Sequence, residues 1–263
     1  MSKGKMDFKH AQGHWILAQM GKKVLRPGGK ELTMKMLDGL DICSSDRVVE
    51  FAPGTGFTAG ITLSKNPVSY TGVELDVKAA ERLKRLVSGN GHRIVVANAA
   101  ESTLESQCTD KVYGEAMLTM HVDKRKSMII KEAHRLLKPG GLYGIHELCL
   151  EPVSLDEDSK AEIQRTLAKA IHVNARPQTT REWHALLENQ GFEIVQTYHN
   201  PMHLLEKKRM IDDEGLFGAL KIGFNIATHP EARKRILRMR AVFHQYRENL
   251  SAISIIARKK LDD

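Results

Sequence analysis

The chain has 263 residues, of which 41% are hydrophobic and 27% charged, and it carries a formal net charge of +8. This length fits one α/β domain with an appendage or two small domains, and no apolar run approaches the roughly 20 residues of a membrane span. No apolar run follows the charged first residues, so we do not expect a secretory signal. The cysteines are widely spaced and odd in number, which is typical of reduced thiols in a cytoplasmic protein and argues against a disulfide framework or a bound metal: Cys43, Cys108 and Cys149.

The positive charge lies in two flanking segments. Residues 1–30 carry a surplus of six positive charges and residues 201–248 a surplus of four, so the rest of the chain is slightly negative. Solubility alone explains such a distribution. An anionic substrate, lipid headgroups or nucleic acid would explain it too.

The middle of the chain alternates β-branched runs with amphipathic stretches, the pattern of a parallel sheet with crossover helices. Strands are predicted at 47–52, 69–75, 92–99, 111–118 and 142–150. Helices are predicted at 77–89 and 124–141, and residues 179–199 predict a helix followed by a sixth strand. The apolar run 250–260 predicts a last strand that lies beside the sixth.

We therefore expect a Rossmann-like, seven-stranded, mostly parallel sheet with helices on both faces and a helical lid. Residues 1–40 would form N-terminal helices that cover the site, broken at "RPGG". Residues 41–203 would form the α/β core and 204–249 a helical insertion. Residues 250–263 would return to the core as its last strand and tail.

The stretch "DRVVEFAPGTGFTAG" (46–60) breaks from an apolar run into a glycine-containing loop. A dinucleotide-binding loop has the pattern G-x-G-x-x-G, in which the glycines allow a tight turn and a close approach to pyrophosphate. Here Gly54 and Gly56 begin that pattern, but Ala59 stands at its third position. Pro53 also removes a backbone donor. An NAD site is therefore a weak alternative.

Two acidic residues indicate a different ligand. Glu50 lies at the end of the first strand, where a carboxylate suits an ammonium group better than a pyrophosphate. Glu74 ends the second strand, where a carboxylate can accept both ribose hydroxyls. A ribose and an ammonium group without a pyrophosphate describe S-adenosylmethionine. Another nucleotide in an α/β domain is the remaining alternative.

With these motifs, the chain resembles the class I S-adenosylmethionine-dependent methyltransferases over about residues 30–200 and the last strand. The resemblance implies that Gly54 and Gly56 lie against the methionine part and that Glu74 binds the ribose. It places the loop 98–101 at the adenine, where many members have an acidic residue in place of Ala99, so the Ala100 N–H is expected to contact the base. Further cofactor contacts are predicted at these positions: Gly29, Ala52, Pro53, Leu75 and Glu115.

Methyl transfer needs alignment and, for a protonated nucleophile, a base. Polar residues at the ends of strands four and five are the predicted catalytic groups, because ligands bind at the carboxyl ends of parallel strands: Glu115, His146 and Glu147. Scaffolding is the alternative role for the two glutamates. Weaker substrate contacts are predicted at three positions: Arg26, Met117 and His121.

We expect methyl transfer to a small molecule, with an anionic one as an option, and S-adenosylhomocysteine as the product. A lipid or isoprenoid-quinone headgroup at a membrane surface is the alternative, because residues 231–250 form a basic amphipathic helix. No nucleic acid is expected, since aromatics are 5% of the chain and an Asn/Asp-Pro-Pro-Tyr motif is missing. A non-catalytic cofactor-binding protein is the alternative from another class. The acceptor atom and the oligomeric state are left open.

Overall fold

In a computed structural model, which describes residues 7–261, the β-branched runs form the strands of one sheet. The strands are β1 (Arg47–Phe51), β2 (Ser69–Glu74), β3 (His92–Val96), β4 (Thr109–Glu115), β5 (Leu137–Leu150), β6 (Gln178–Thr179), β7 (Phe192–Pro201) and β8 (Leu250–Lys259). Their order is β3-β2-β1-β4-β5-β8-β7, and the two-residue β6 pairs with β5. The Rossmann-like prediction is confirmed.

The last strand lies where the sequence predicted it, beside the preceding long strand. β8 is inserted antiparallel between β5 and β7, whereas β1 to β5 pair in parallel. The central strands are buried on both faces, and successive side chains pack on opposite faces of the sheet. For example, Val48 and Ile256 pack on one face of the sheet, and Val49 and Ile255 on the other.

The helices are α1 (Gly13–Gln19), α2 (Gly29–Gly39), α3 (Phe57–Ser64), α4 (Val77–Leu86), α5 (Asp123–Leu136), α6 (Glu157–Ile171), α7 (Thr180–Glu188), α8 (Lys207–Thr228) and α9 (Pro230–Gln245). α2, α3 and α4 pack on one face of the sheet, and α5 and α7 pack on the other. Sequence analysis missed α3 and α6. It also extended β4 too far, because residues 118–120 form a 3-10 turn.

Local signals explain where several helices begin. Asp76 caps α4 by accepting a hydrogen bond from the Ala79 N–H at 2.8 Å. Thr179 and Glu182 form a capping box at the start of α7. These side chains satisfy N–H groups that the first turn of a helix leaves without partners.

The insertion 204–249 is helical, as predicted, with a non-helical residue, Gly215, inside α8. α8 and α9 pack with α1 and α6 in a separate apolar cluster. Lys22 forms a buried ion pair with Asp213 at 3.2 Å. Glu214 accepts hydrogen bonds from the Lys23 and Val24 N–H groups at 2.8 and 2.9 Å. These contacts hold the insertion against the N-terminal segment.

No helix within residues 7–261 is long and apolar enough to span a bilayer. The predicted N-terminal unit includes residues 1–6, and the predicted tail includes residues 262–263. Both groups lie outside the described residues.

Candidate functional site

A cleft opens at the carboxyl ends of β1, β2 and β4. We call it the outer cleft; its volume is about 760 Å³, which includes space open to solvent. Its walls come from the segment around α1, the loop after β1 and the loop after β4. The lining residues are His14, Trp15, Leu25, Arg26, Ala52, Pro53, Gly54, Thr55, Glu74, Glu115, Ala116, Met117 and Met120.

The loop after β1 is held in a left-handed backbone conformation. Ala52, Gly54 and Gly56 have φ values of 52°, 58° and 79°. A non-glycine residue in that region stores of order 1–3 kcal/mol of strain. At Gly54 the position of a Cβ has no neighbour closer than the Ala52 carbonyl oxygen at 3.8 Å, whereas at Gly56 a Cβ would lie 2.5 Å from Leu86. Gly54 thus leaves room for a ligand, and Gly56 is required by packing.

Glu74 joins the end of β2 to this loop. Its Oε2 accepts the Gly54 N–H at 3.0 Å, and its Oε1 accepts the Asp76 N–H at 3.0 Å. A carboxylate oxygen can accept more than one hydrogen bond, so both oxygens keep capacity for ligand hydroxyls. The structure places Glu74 in the outer cleft, where the sequence predicted a ribose contact.

Glu115, at the end of β4, is the centre of a buried polar network. It accepts hydrogen bonds from the Arg26 guanidinium, the Thr58 hydroxyl and the Thr33 hydroxyl, the last at 2.6 Å. Burial alone would raise its pKa, but the charge of Arg26 and the hydrogen bond from His146 outweigh burial and hold the pKa at about 2. The carboxylate is therefore an ionised structural anion and a weak base.

His146 lies behind Glu115 and is fully buried. Its Nδ1 is 2.8 Å from Glu115 Oε1, and its Nε2 is 2.5 Å from the Pro27 carbonyl oxygen. Both ring nitrogens are therefore engaged in contacts with oxygen atoms inside the protein. The structure thus brings together the predicted residues Glu115 and His146. It leaves neither ring nitrogen of His146 free to take a proton.

Glu147 supports the turn after β4. Its carboxylate accepts the N–H groups of Met117, Leu118 and Thr119 at 2.8–3.0 Å and the Thr119 hydroxyl at 2.7 Å. Burial raises its pKa, and these hydrogen bonds oppose the shift. The side chain shapes the floor of the site, which is the scaffolding role that the sequence left as an alternative.

Glu50 does not line the outer cleft, which corrects its predicted contact with an ammonium group. It is buried below the loop, where its carboxyl group accepts hydrogen bonds from the hydroxyls of Tyr70 and Tyr113, the latter at 2.8 Å. Burial raises its pKa to about 7, although the two hydroxyls oppose the shift. Glu50 therefore has a structural role, in which it links the hydroxyls of two buried tyrosines.

Five other predicted cofactor contacts also lie outside the outer-cleft lining: Gly29, Gly56, Leu75, Ala99 and Ala100. Gly56 faces Leu86 of α4. Leu75 is 66% exposed, and Ala99 is buried in the sheet core. The Ala100 N–H donates to Asn98 Oδ1 at 3.0 Å, so it is already paired. A Cβ on Gly29 would meet Asp213 of α8 at 2.5 Å, which shows that this residue faces the insertion.

Of the three residues predicted as weaker substrate contacts, two line the outer cleft and one does not. Met117 lines the outer cleft. Arg26 lines it too, but its Nη1 is bound to Glu115, Thr33 and Thr58. His121 lines neither of the two cavities described here.

A second space, which we call the inner cavity, lies beside the outer cleft and has a volume of about 710 Å³, which includes space open to solvent. Its lining is almost entirely apolar and includes residues of α1, α6, α9 and the segment after α6: Gly13, His14, Leu17, Leu25, Pro27, Ala116, Thr119, Met120, Glu147, Leu148, Leu167, Ile171, Val173, Ala175, Met202, Leu204, Met239 and Phe243. Sequence analysis missed this cavity because it missed α6.

The two spaces share a wall of four residues: His14, Leu25, Ala116 and Met120. His14 is the titratable residue among them, and the sequence analysis did not select it. The signal was weak: a histidine beside Trp15 at the start of a short apolar helix, with no motif around it.

Within residues 7–261, one group of three potential metal ligands lies outside both spaces, at the end of β5, just after it and on β7: Cys149, Glu151 and His199. Burial raises the pKa of the Cys149 thiol to about 11, so it is protonated near neutral pH. Metals bind the thiolate, so this group is a poor ligand set.

Comparison with known proteins gives three findings. A family model described as a methyltransferase domain matches residues 49–145. An uncharacterised protein of Haemophilus influenzae is 37% identical over 256 residues, which cover 95% of this chain and 99% of that protein. The 27-O-demethylrifamycin SV methyltransferase of Amycolatopsis mediterranei is 25% identical over 178 residues, 65% of this chain and 64% of that protein.

Among solved structures, Haemonchus contortus phosphoethanolamine N-methyltransferase 2, in complex with S-adenosyl-L-methionine, superposes with a TM-score of 0.71 at 17% identity. The match covers 99% of this chain and 61% of that chain. At this identity the likeness concerns the fold.

Proposed function

The chain belongs to the class I S-adenosylmethionine-dependent methyltransferases, and we propose that its acceptor is a small molecule with an apolar body that binds in the inner cavity. The observation that carries this proposal is the shared wall: an apolar space opens directly beside the cleft that fits the cofactor.

The lining of the outer cleft supports a site for S-adenosylmethionine. Gly54 leaves free the space that a Cβ would fill, and Glu74 offers carboxylate oxygens for the ribose hydroxyls. Met117 and the loop after β1 would lie against the rest of the cofactor. When bound, the cofactor supplies an electrophilic methyl group on a sulfonium. The chain's own contribution is to align the acceptor and exclude water.

The lining of the inner cavity argues against an anionic acceptor. Among the described residues that line it, none is a lysine or arginine; its polar side chains are His14 and the mutually bonded Thr119 and Glu147. A phosphate or carboxylate buried there would lack a counter-charge, which is strongly unfavourable. An apolar ring or chain would be stabilised by about 25 cal/mol for each Å² removed from water.

The insertion has the position of a lid in this proposal. Met239 and Phe243 of α9 line the inner cavity, and Arg235 binds backbone carbonyls of the N-terminal segment, including those of Lys9 at 2.8 Å and Phe8 at 3.0 Å. Arg235, which belongs to the basic amphipathic stretch 231–250, therefore holds α9 against the N-terminal segment.

Two experiments test the proposal. Calorimetric titration with S-adenosylhomocysteine first establishes cofactor binding, with Gly54→Ala expected to weaken it at least tenfold because a Cβ enters the outer cleft. Radiolabelled methyl transfer to 4-propylphenol is then compared with transfer to phosphoethanolamine. We expect transfer to the phenol. Transfer to phosphoethanolamine alone would contradict an apolar acceptor site.

A second candidate, a lipid-like acceptor at a membrane surface, is favoured by the outer face of α8. That face exposes an apolar stripe of four residues whose spacing places them on one side of the helix: Leu216, Phe217, Leu220 and Phe224. Phe217 is 87% exposed. Because residues 201–248 carry surplus positive charge, an anionic bilayer complements this surface better than a second, equally basic copy of the chain does.

Co-sedimentation with vesicles tests this candidate. Phosphatidylglycerol-containing vesicles should bind the wild type, and Phe217→Ser combined with Phe224→Ser should reduce binding at least fivefold. Val68→Ser, at another exposed apolar position, is the control. Equal sedimentation of both variants, or no preference over phosphatidylcholine vesicles, would reject membrane docking.

A further inference from the structure

His14 occupies the boundary between the outer cleft and the inner cavity. It lines both spaces, together with the apolar side chains of Leu25, Ala116 and Met120. A group at this boundary lies between the place that fits the cofactor and the place proposed for the acceptor.

The imidazole of His14 is available to bind or take a proton from a ligand. Its recorded contact is with the Trp15 ring, whose centroid is 5.0 Å away, and within residues 7–261 neither ring nitrogen has a hydrogen-bond partner. In contrast to His14, the carboxylates that line these two spaces all accept hydrogen bonds within the protein: Glu74, Glu115 and Glu147.

We propose that His14 is the general base of methyl transfer and that the acceptor atom is the oxygen of a hydroxyl group, phenolic or alcoholic. This inference rests on the proposed function, because it requires an acceptor in the inner cavity. An unprotonated amine or a thiolate attacks without first losing a proton, whereas a hydroxyl group needs a base at neutral pH. A neutral imidazole at the boundary is such a base.

The electrostatics of the site agree with this role. Burial lowers the pKa of His14, which keeps the imidazole neutral near pH 7. The charged groups around it are Arg26, Glu74 and Glu115 from the outer cleft and Glu147 from the inner cavity. Arg26 and Glu115 form an ion pair with each other.

The step balances without another reactant. The acceptor O–H bond breaks, and its proton moves to a ring nitrogen of His14. The oxygen forms a bond to the methyl carbon as the carbon–sulfur bond breaks, and that electron pair stays on sulfur. The imidazolium then releases its proton to water.

The test compares His14→Gln with His10→Gln, the same change at an exposed position. Each variant is assayed with 4-propylphenol and with its ring-tetrafluorinated analogue, whose hydroxyl is already ionised at the assay pH. We expect His14→Gln to lose about 100-fold in kcat/KM with the first acceptor, in the range of general-base catalysis. With the ionised acceptor it should lose less than about fivefold.

A second readout is independent of turnover. Imidazole resonances of the free enzyme should show that His14 titrates below the ordinary value of 6.5, and kcat/KM for 4-propylphenol should fall as pH falls through that pKa. A loss of equal size with both phenols would show a structural or binding role and overturn the base assignment.

The outcomes separate this inference from the proposed function. No binding of S-adenosylhomocysteine to the wild type would contradict the proposed function. Binding without transfer to either phenol would overturn the hydroxyl acceptor.

Discussion

Two buried glutamates at the ends of adjacent strands have pKa values shifted in opposite directions. Glu50 ends β1 among tyrosine hydroxyls and has a pKa of about 7, whereas Glu115 ends β4 beside Arg26 and His146 and has a pKa of about 2. Burial favours the neutral form of both. The difference arises from the partners: neutral donors oppose burial only partly, and a cation reverses it.

The two glutamates therefore have different roles: Glu50 supports the core, and Glu115 organises the charged groups at the outer cleft. The Glu50 carboxyl group accepts hydrogen bonds from two tyrosines in the core, while the Glu115 anion holds Arg26, two threonines and His146 at the wall of the outer cleft. Neither is a free base, which is why the unpaired His14 becomes the candidate for proton transfer.

The largest effect is expected when the anion is removed. Glu115→Gln leaves the buried Arg26 without a counter-charge, so we expect a loss of about 3–5 kcal/mol in the free energy of unfolding. Chemical denaturation measures it, with Glu188→Gln at an exposed position as the control. A loss below about 1 kcal/mol would show that the network is not an ion-pair system.

Arg26→Met should make Glu115 resemble Glu50. In the wild type, the lowered pKa of Glu115 gives stability that is present above about pH 4.5 and is lost as pH falls toward about 2. Without the guanidinium the pKa rises, so the acid-unfolding midpoint should move upward by about one pH unit. Arg181→Met, on the exposed side of α7, should leave the midpoint unchanged. An unshifted midpoint in Arg26→Met would assign the low pKa to another group.

Glu50→Gln tests the other half of the comparison. Because the folded pKa is raised, the folded state binds more protons than the unfolded state between about pH 4.5 and 7, and stability falls as pH rises through that window. The wild type should lose on the order of 2–3 kcal/mol there, and the variant should lack this slope. The same slope in both proteins would contradict a raised pKa.

The smallest effect is expected at Tyr113→Phe. This change removes one of the two hydroxyls that donate to Glu50, so the pKa of Glu50 should rise further. The free energy of unfolding near pH 8 should fall by about 1–2 kcal/mol. Tyr198→Phe is the control, since Tyr198 is remote from Glu50 on β7. Equal free energies of unfolding for the two variants would show that the Tyr113 hydroxyl does not stabilise ionised Glu50.

Sequence reasoning predicted the sheet and the cofactor loop because their signals are local. β-branched runs, the positions of Gly54 and Gly56, and the acidic residue Glu74 can be read along the chain. Gly54 and Glu74 line the outer cleft, whereas Gly56 does not; their contacts with a cofactor stay predictions.

The misplaced residues depend on long-range contacts. Glu50 was assigned to a ligand because the sequence does not show that Tyr70 and Tyr113, 20 and 63 residues away, donate to it. His14 was missed because its position depends on α6, α9 and the loop after β4 meeting at one place. Local periodicity in the sequence does not predict which distant segments contact one another.

The central claim, that the acceptor binds in the inner cavity, is tested most directly by filling it. Ala175 lines the cavity and is buried, so Ala175→Phe should abolish methyl transfer to 4-propylphenol while S-adenosylhomocysteine binds as in the wild type. Ala161→Phe, exposed on α6, should leave both unchanged. Undiminished transfer by Ala175→Phe would contradict the claim and place the acceptor elsewhere.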